Sequence, residues 1–293
     1  MTDPQMIRIT SGALTAAINS YGAELTHLTD AQGRELMTDA DPAFWTGHAP
    51  ILFPVIGVTN GLQIHLDGAT YPMPKHGFAR HSLFDVVEAS DSHAVFALED
   101  SDQTRSHYPF AFRLEITFSI EDTTLSVEAR IVNRNDAAMP ASFGFHPAFA
   151  WPLPYGHDRA DHRIVFAADE PGALREIAPD GLIAAATRPS PLDGRTLQLR
   201  DDLFTDDALV WDHVRSQAVT YGASEGPELH VAFPDTPKLG IWTKPGAAYV
   251  CIEPWHGIAD PEGYAGDFRA KPGVFEIAPG DTKHIRMKVT LTA

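Results

Sequence analysis

Two segments place proton-carrying side chains where a substrate could reach them. In Ser142-Phe143-Gly144-Phe145-His146-Pro147-Ala148-Phe149 an imidazole sits within an alternating run. In an extended chain Phe143, Phe145 and Phe149 share one face, and Gly144, His146 and Ala148 share the other. The aromatic face turns into a core, while the small neighbours leave open space beside His146. A ligand-facing histidine needs that space, and an ordinary surface histidine on a strand is the alternative reading. In Tyr249-Val250-Cys251-Ile252-Glu253-Pro254-Trp255-His256-Gly257 a carboxylate follows four apolar residues and precedes a proline. Burial of a carboxylate raises its pKa towards neutrality, which suits a general base. A strand-end glutamate facing water is the alternative. Trp255 offers an apolar face on which a sugar ring could stack. With a reference pKa of ~6.5, histidine can give and regain a proton near neutral pH, so His146 and Glu253 could work as acid and base.

Two further groups could hold a polar ligand. Lys75-His76-Gly77-Phe78-Ala79-Arg80 presents three basic residues within six, suited to hydroxyls or a phosphate, or else forming a solvated basic turn. Thr205-Asp206-Asp207-Ala208-Leu209-Val210-Trp211 sets an acidic pair at the entry to a short strand, and an aspartate can accept hydrogen bonds from two neighbouring hydroxyls. Other chemistries lack their signatures. Gly57–Gly61 has neither the spacing nor the helix of a nucleotide loop, no zinc-type His/Cys spacing occurs, and no Gly-x-Ser-x-Gly elbow is present. Cys251 lies on a strand with no acidifying neighbour in the sequence. A metal site would have to be assembled from His76, His146, His256 and Glu253.

The elements that must position these residues are strands. Phe112, Leu114, Ile116, Phe118 and Ile120 alternate with polar residues, and Leu125, Val127, Ala129 and Ile131 do so again after a break at Glu121–Thr124, so the spacing predicts a hairpin with one buried face. Ile285, Met287, Val289 and Leu291 repeat the pattern near the C-terminus, and shorter runs appear at Ile7–Ile9, Leu14–Ile18, Val95–Leu98 and Leu229–Phe233. Helical periodicity is nearly absent, apart from one or two turns expected after Asp41-Pro42. The stretch from Ala150 to Asp202 is rich in Pro, Asp and Gly, with weak strands around Ile164–Phe166 and Leu197–Leu199, and is expected to cover or rim a site. One all-β antiparallel domain spanning 1–293 is the plainest organisation. A chain of this size buries roughly 75% of its unfolded surface and needs no staples. The single cysteine excludes an intrachain disulfide. A formal charge of −17 repels nucleic acid and anionic lipid. Neither a signal peptide nor a long apolar span is evident, so the cytoplasm is the expected compartment. Monomer and edge-paired homodimer both remain open.

Taken in order along nearly the whole chain, these segments resemble the aldose 1-epimerase (galactose mutarotase-like) superfamily, and within it the mutarotase-like branch linked to lactose operons. The likeness runs through Tyr21–Leu25, Pro50–Gly57, Lys75–Arg80, Phe145–Phe149, Asp207–Val210, Leu239–Pro245, Ile252–Asp260 and Ala278–Gly280. It implies a large antiparallel β-sandwich with an open sugar-binding cleft and a cofactor-independent isomerase acting on a monosaccharide. It further implies that His146 donates a proton to the ring oxygen and that Glu253 takes one from the anomeric hydroxyl. By the same likeness His76 holds the substrate, Asp207 (or Asp206 in the alternative register) binds ring hydroxyls, and Arg80 matches an arginine shared with the sugar-phosphate branch. Many relatives carry an arginine that contacts the sugar where this chain has Val58, which leaves the choice of sugar open. Three functions therefore stand side by side: mutarotation of a free aldose, 1-epimerisation of a hexose 6-phosphate, and non-catalytic carbohydrate binding or sensing.

Overall fold

The computed structural model describes residues 3–292. The strict alternation seen in the sequence becomes the longest ladder. Phe112–Glu121 pairs antiparallel with Thr124–Asn133, and every second residue of each strand is buried. The turn is tighter than the sequence suggests. Glu121 lies directly opposite Thr124, which leaves two turn residues, with Asp122 at φ 48°. Thr282–Thr292 flanks Thr124–Asn133 on its other side, and nine strands from Thr196–Gln198 to Asp85–Ala89 form one sheet.

A second, eight-stranded sheet faces the first. It runs from Ile183–Arg188 through Leu174–Ile177, Leu209–Trp211, Lys238–Trp242, Tyr249–His256 and Phe143–Phe145 to Ile51–Leu52, with Ala148–Ala150 also paired to Tyr249–His256. Ile116 and Phe118 of the first sheet share a buried cluster with Phe143, Phe145, Ile241 and Ile252 of the second. The architecture is thus an antiparallel β-sandwich. Burying the aromatic face of Phe143–Phe149 in that cluster fixes which residues of the second sheet face outward, because the side-chain period is two.

The stretch after Ala150 is more regular than its composition suggests. It contributes Arg163–Phe166 and Thr196–Gln198 to the nine-stranded sheet, and the hairpin Leu174–Ile177/Ile183–Arg188 to the edge of the eight-stranded one. After Asp41 the chain makes one turn and no regular helix. Asp41 Oδ1 accepts from the Ala43 N–H, and the Asp41 carbonyl accepts from the N–H groups of Phe44 and Trp45. No helix among the described residues is long and apolar enough to cross a membrane.

Candidate active site

Strand register brings the two proton carriers together. Gly144 lies opposite Trp255 and Ala148 opposite Cys251, so His146 falls level with Glu253 on the same face of the sheet. Opposed residues on one face stand close enough for direct contact. His146 Nε2 lies 3.1 Å from Glu253 Oε2, with the two residues 7% and 2% exposed. The strand runs on through Pro254 to His256. Glu253 is therefore a mid-strand residue, and the reading of a solvated strand-end carboxylate does not hold.

The pair lies at the bottom of a cleft of about 620 Å³. Trp45 and Trp242, both half-buried, form one wall, with ring centroids 5.0 Å and 6.0 Å from the His146 ring. The cleft also receives His76, Arg80, Asp207 and Trp255, so these four meet His146 and Glu253 here, with Lys75 beside them. Asp207 reaches the cleft, at φ 71° with its carboxylate accepting from the Ala208 N–H, whereas Asp206 does not line it. The rim comprises Ile177, Gly181 and Ile183 of the edge hairpin.

Burial disfavours charge on both partners. The His146 pKa is pulled down to about 3, chiefly by desolvation, with the charges of Arg80 and Lys75 adding to it. Burial pushes the Glu253 carboxyl well above the usual carboxylate range. The nearby Asp207 charge adds to that rise, while Lys75 and the Trp255 indole oppose it. Two groups in contact titrate as a pair, and these opposite shifts let the pair hold a single proton over a wide pH span.

His76 is fixed differently. Its backbone sits at φ 66°, a left-handed conformation that costs a non-glycine residue roughly 1–3 kcal/mol. Two hydrogen bonds offset that cost: the His76 N–H donates to the Gly57 carbonyl at 2.8 Å, and the Gly57 N–H donates to His76 Nδ1 at 3.0 Å. A backbone N–H can only donate, so Nδ1 accepts and the ring proton resides on Nε2. Burial lowers the His76 pKa well below the ordinary value, and the His146, Lys75 and Arg80 charges lower it further. His76 is consequently a neutral donor. Beside it, Arg80 is half-buried, and its Nε has no hydrogen-bond partner among the described residues.

Three expectations need correction. The space expected beside Gly144 is filled, because a Cβ there would meet Trp255 Cδ1 at 2.6 Å. A Cβ on Gly240 would likewise meet Trp255 Cη2 at 2.5 Å, so the indole lies across both glycines. Trp255 is 7% exposed and forms part of the floor, while Trp45 and Trp242 present the more open aromatic surfaces. Lastly, His256 packs on Phe275 with ring centroids 4.7 Å apart, on the strand face opposite to Glu253, and cannot join His146 and Glu253 around a metal. Sequence reasoning missed Trp45 and Trp242 as wall residues. The available signal was a tryptophan at the end of a turn or strand, followed by Thr and then Gly or Lys-Pro, as in Trp45-Thr46-Gly47 and Trp242-Thr243-Lys244-Pro245.

Val58 is not a lining residue. Its Cγ2 would stand 2.9 Å from a Cβ on Gly181, so it supports the rim hairpin from behind.

Comparison with known proteins finds relatives that match this chain over nearly its whole length. The chain is 28% identical to the chromosomal LacX protein of Lactococcus lactis subsp. lactis, over 97% of its own length and 99% of the relative's. A galactose mutarotase-like protein from Lactobacillus casei superimposes with a TM-score of 0.92 at 31% identity, covering 98% of this chain and 100% of that one. A galactose mutarotase related enzyme from Lactobacillus acidophilus superimposes with a TM-score of 0.90 at 29% identity, covering 99% and 98%. The family model for aldose 1-epimerase matches residues 5–265, and the chain belongs to that family.

Proposed function

We propose that this protein interconverts the α and β anomers of a free aldose, using His146 and Glu253 as acid and base. The observation that carries this reading is the 3.1 Å contact between His146 Nε2 and Glu253 Oε2 on the cleft floor. A cyclic hemiacetal has its ring oxygen and anomeric hydroxyl on one carbon. Opening it needs a donor at the first oxygen and an acceptor at the second, side by side, and a touching pair that holds one proton supplies both. In the tautomer with the shared proton on His146, the Glu253 carboxylate takes the hydroxyl proton, the imidazolium gives its proton to the ring oxygen, and the ring opens to the aldehyde. Rotation about one carbon–carbon bond exposes the other face, and reversed transfers close it. His76, as a neutral donor, and Asp207, as an acceptor, would hold ring hydroxyls, and Trp45 and Trp242 would bound the sugar. Each proton-transfer group is worth roughly 10²–10⁴-fold.

Polarimetry on freshly dissolved α-glucose and α-galactose tests the reading. Wild type is expected to speed mutarotation well above the buffer rate, and His146→Ala is expected to lose nearly all of that gain. Sugar binding by calorimetry with no acceleration of any aldose would replace the enzyme with a binding protein. A second reading, on a hexose 6-phosphate, is favoured by Lys75 and Arg80 in the same cleft. A higher kcat/KM for glucose 6-phosphate than for glucose would select it.

The pH profile provides another check. The pair gains a second proton only as pH falls towards about 3, the His146 value, and loses its last proton above the raised Glu253 value. The alkaline limb of kcat/KM should therefore reflect Glu253. Since Asp207 helps to raise that pKa, Asp207→Asn is expected to move the limb to lower pH and to raise KM. An unmoved limb would mean that Glu253 does not set it.

A further inference from the structure

Beneath the proton pair lies a thiol for which the epimerase reading has no use. Cys251 precedes Glu253 by two residues on the same strand, faces the same way and stands opposite Ala148. It is fully buried beside Ala148, Ala247 and Tyr249. His146, Cys251 and Glu253 offer one nitrogen, one sulfur and one oxygen donor, all within 4.8 Å of one another. Any triangle with sides no longer than that has a point within about 2.8 Å of every corner, while zinc bonds to such donors at ~2.0–2.3 Å. Shifts of about 0.5–0.8 Å by side chains would therefore close three bonds.

We propose that His146, Cys251 and Glu253 form a binding site for a thiophilic divalent cation of the zinc type, and that its occupation switches the active site off. The proposal rests on the reading of His146 and Glu253 as the proton pair. Imidazole, thiolate and carboxylate together suit zinc, whereas magnesium and calcium prefer all-oxygen sets. His146 and Glu253 line the cleft, so an ion can enter from solvent, and a fourth position towards the cleft is left for water. Binding makes three coordinate bonds and no redox change. The thiol proton leaves to solvent, together with the carboxyl proton when Glu253 carries one. The lone pairs that would move protons are then committed to the ion, and catalysis stops.

Cobalt(II) is the probe, because thiolate ligation gives a near-ultraviolet charge-transfer band and a four-coordinate site gives intense visible bands. One equivalent of cobalt is expected to produce both, zinc is expected to displace it, and zinc is expected to abolish mutarotation at the same stoichiometry. Cys251→Ala should lose the charge-transfer band, keep its activity in chelator and need about 100-fold more zinc for half-inhibition, since even outer-shell losses cost 10–100-fold in affinity. Cys251→Ser serves as the second variant if truncation loosens the buried strand. Absence of the thiolate band at saturating cobalt, or equal zinc sensitivity in wild type and both variants, would overturn the proposal. The spectrum is read without substrate, so its outcome is separate from whether any aldose is turned over.

Discussion

Glu253→Gln is expected to lower turnover by roughly 10²–10⁴-fold while leaving sugar binding within a few-fold of wild type. The amide matches the carboxyl in shape and keeps an oxygen near His146 Nε2, but it cannot take the anomeric proton. Stability is expected to move the other way. The Glu253 pKa in the folded state lies above its unfolded value, so its favourable contribution is complete at low pH and is lost as pH rises through the folded value. A neutral glutamine escapes that loss. The variant should therefore melt at a higher temperature than wild type at pH 8, with a smaller gap at pH 5. His146 acts in the opposite sense. Its folded pKa of about 3 lies below the unfolded ~6.5, so both proteins should lose stability as pH falls through that interval. Melting curves at the two pH values, with sugar binding by calorimetry, check the whole set. A variant that melts lower at pH 8 would make Glu253 a structural residue.

Gly77→Ala is expected to be among the most damaging single-methyl changes in the chain. Gly77 has φ +73°, and a Cβ there would stand 2.1 Å from the Phe53 carbonyl oxygen and 2.7 Å from Pro54 N, both backbone atoms. That same oxygen accepts from the N–H of Phe78 at 3.1 Å, so the clash strikes the bond that docks the Lys75–Arg80 turn onto the sheet. Left-handed strain for alanine adds about 1–2 kcal/mol to the clash, and a total of about 3 kcal/mol or more is expected. For a domain this large, each kcal/mol lowers Tm by roughly 2–4 °C, so a fall near 10 °C should be seen by calorimetry. The turn carries His76 and Arg80, so any folded variant should also show a raised KM. His76→Ala separates the two effects, since it keeps the glycine and should raise KM with a much smaller fall in Tm. A Gly77→Ala protein with unchanged Tm and KM would show that the turn re-seats freely.

The sandwich was legible because one face of most strands is buried, so alternation survives in the sequence, as in Phe112–Ile120. His146 and Glu253 were recognisable as candidates from their neighbours, but their contact was not. It depends on register between chain segments more than 100 residues apart, which local pattern does not encode. The error at Gly144 has the same origin: the residue that fills its space, Trp255, comes from the paired strand. The neutral donor state of His76 follows from a hydrogen bond to Gly57, and no single-residue property signals it. The hairpin after Leu174 was obscured because its outer strand is an exposed edge with little apolar alternation.

The contact between Val58 and Gly181 has a consequence for how this cleft can diverge. The proposed proton pair is held by strands inside the eight-stranded sheet, whereas the rim hairpin is seated on Val58 and its Ile183 N–H donates to the carbonyl of Asp260, whose own N–H donates to the Val58 carbonyl. Aperture and reactivity thus have separate supports. A larger side chain at position 181, or a smaller one at 58, would tilt the hairpin and resize the opening without disturbing the register that sets His146 against Glu253. The size of ligand admitted would then change by substitutions remote from His146 and Glu253, over an unaltered floor.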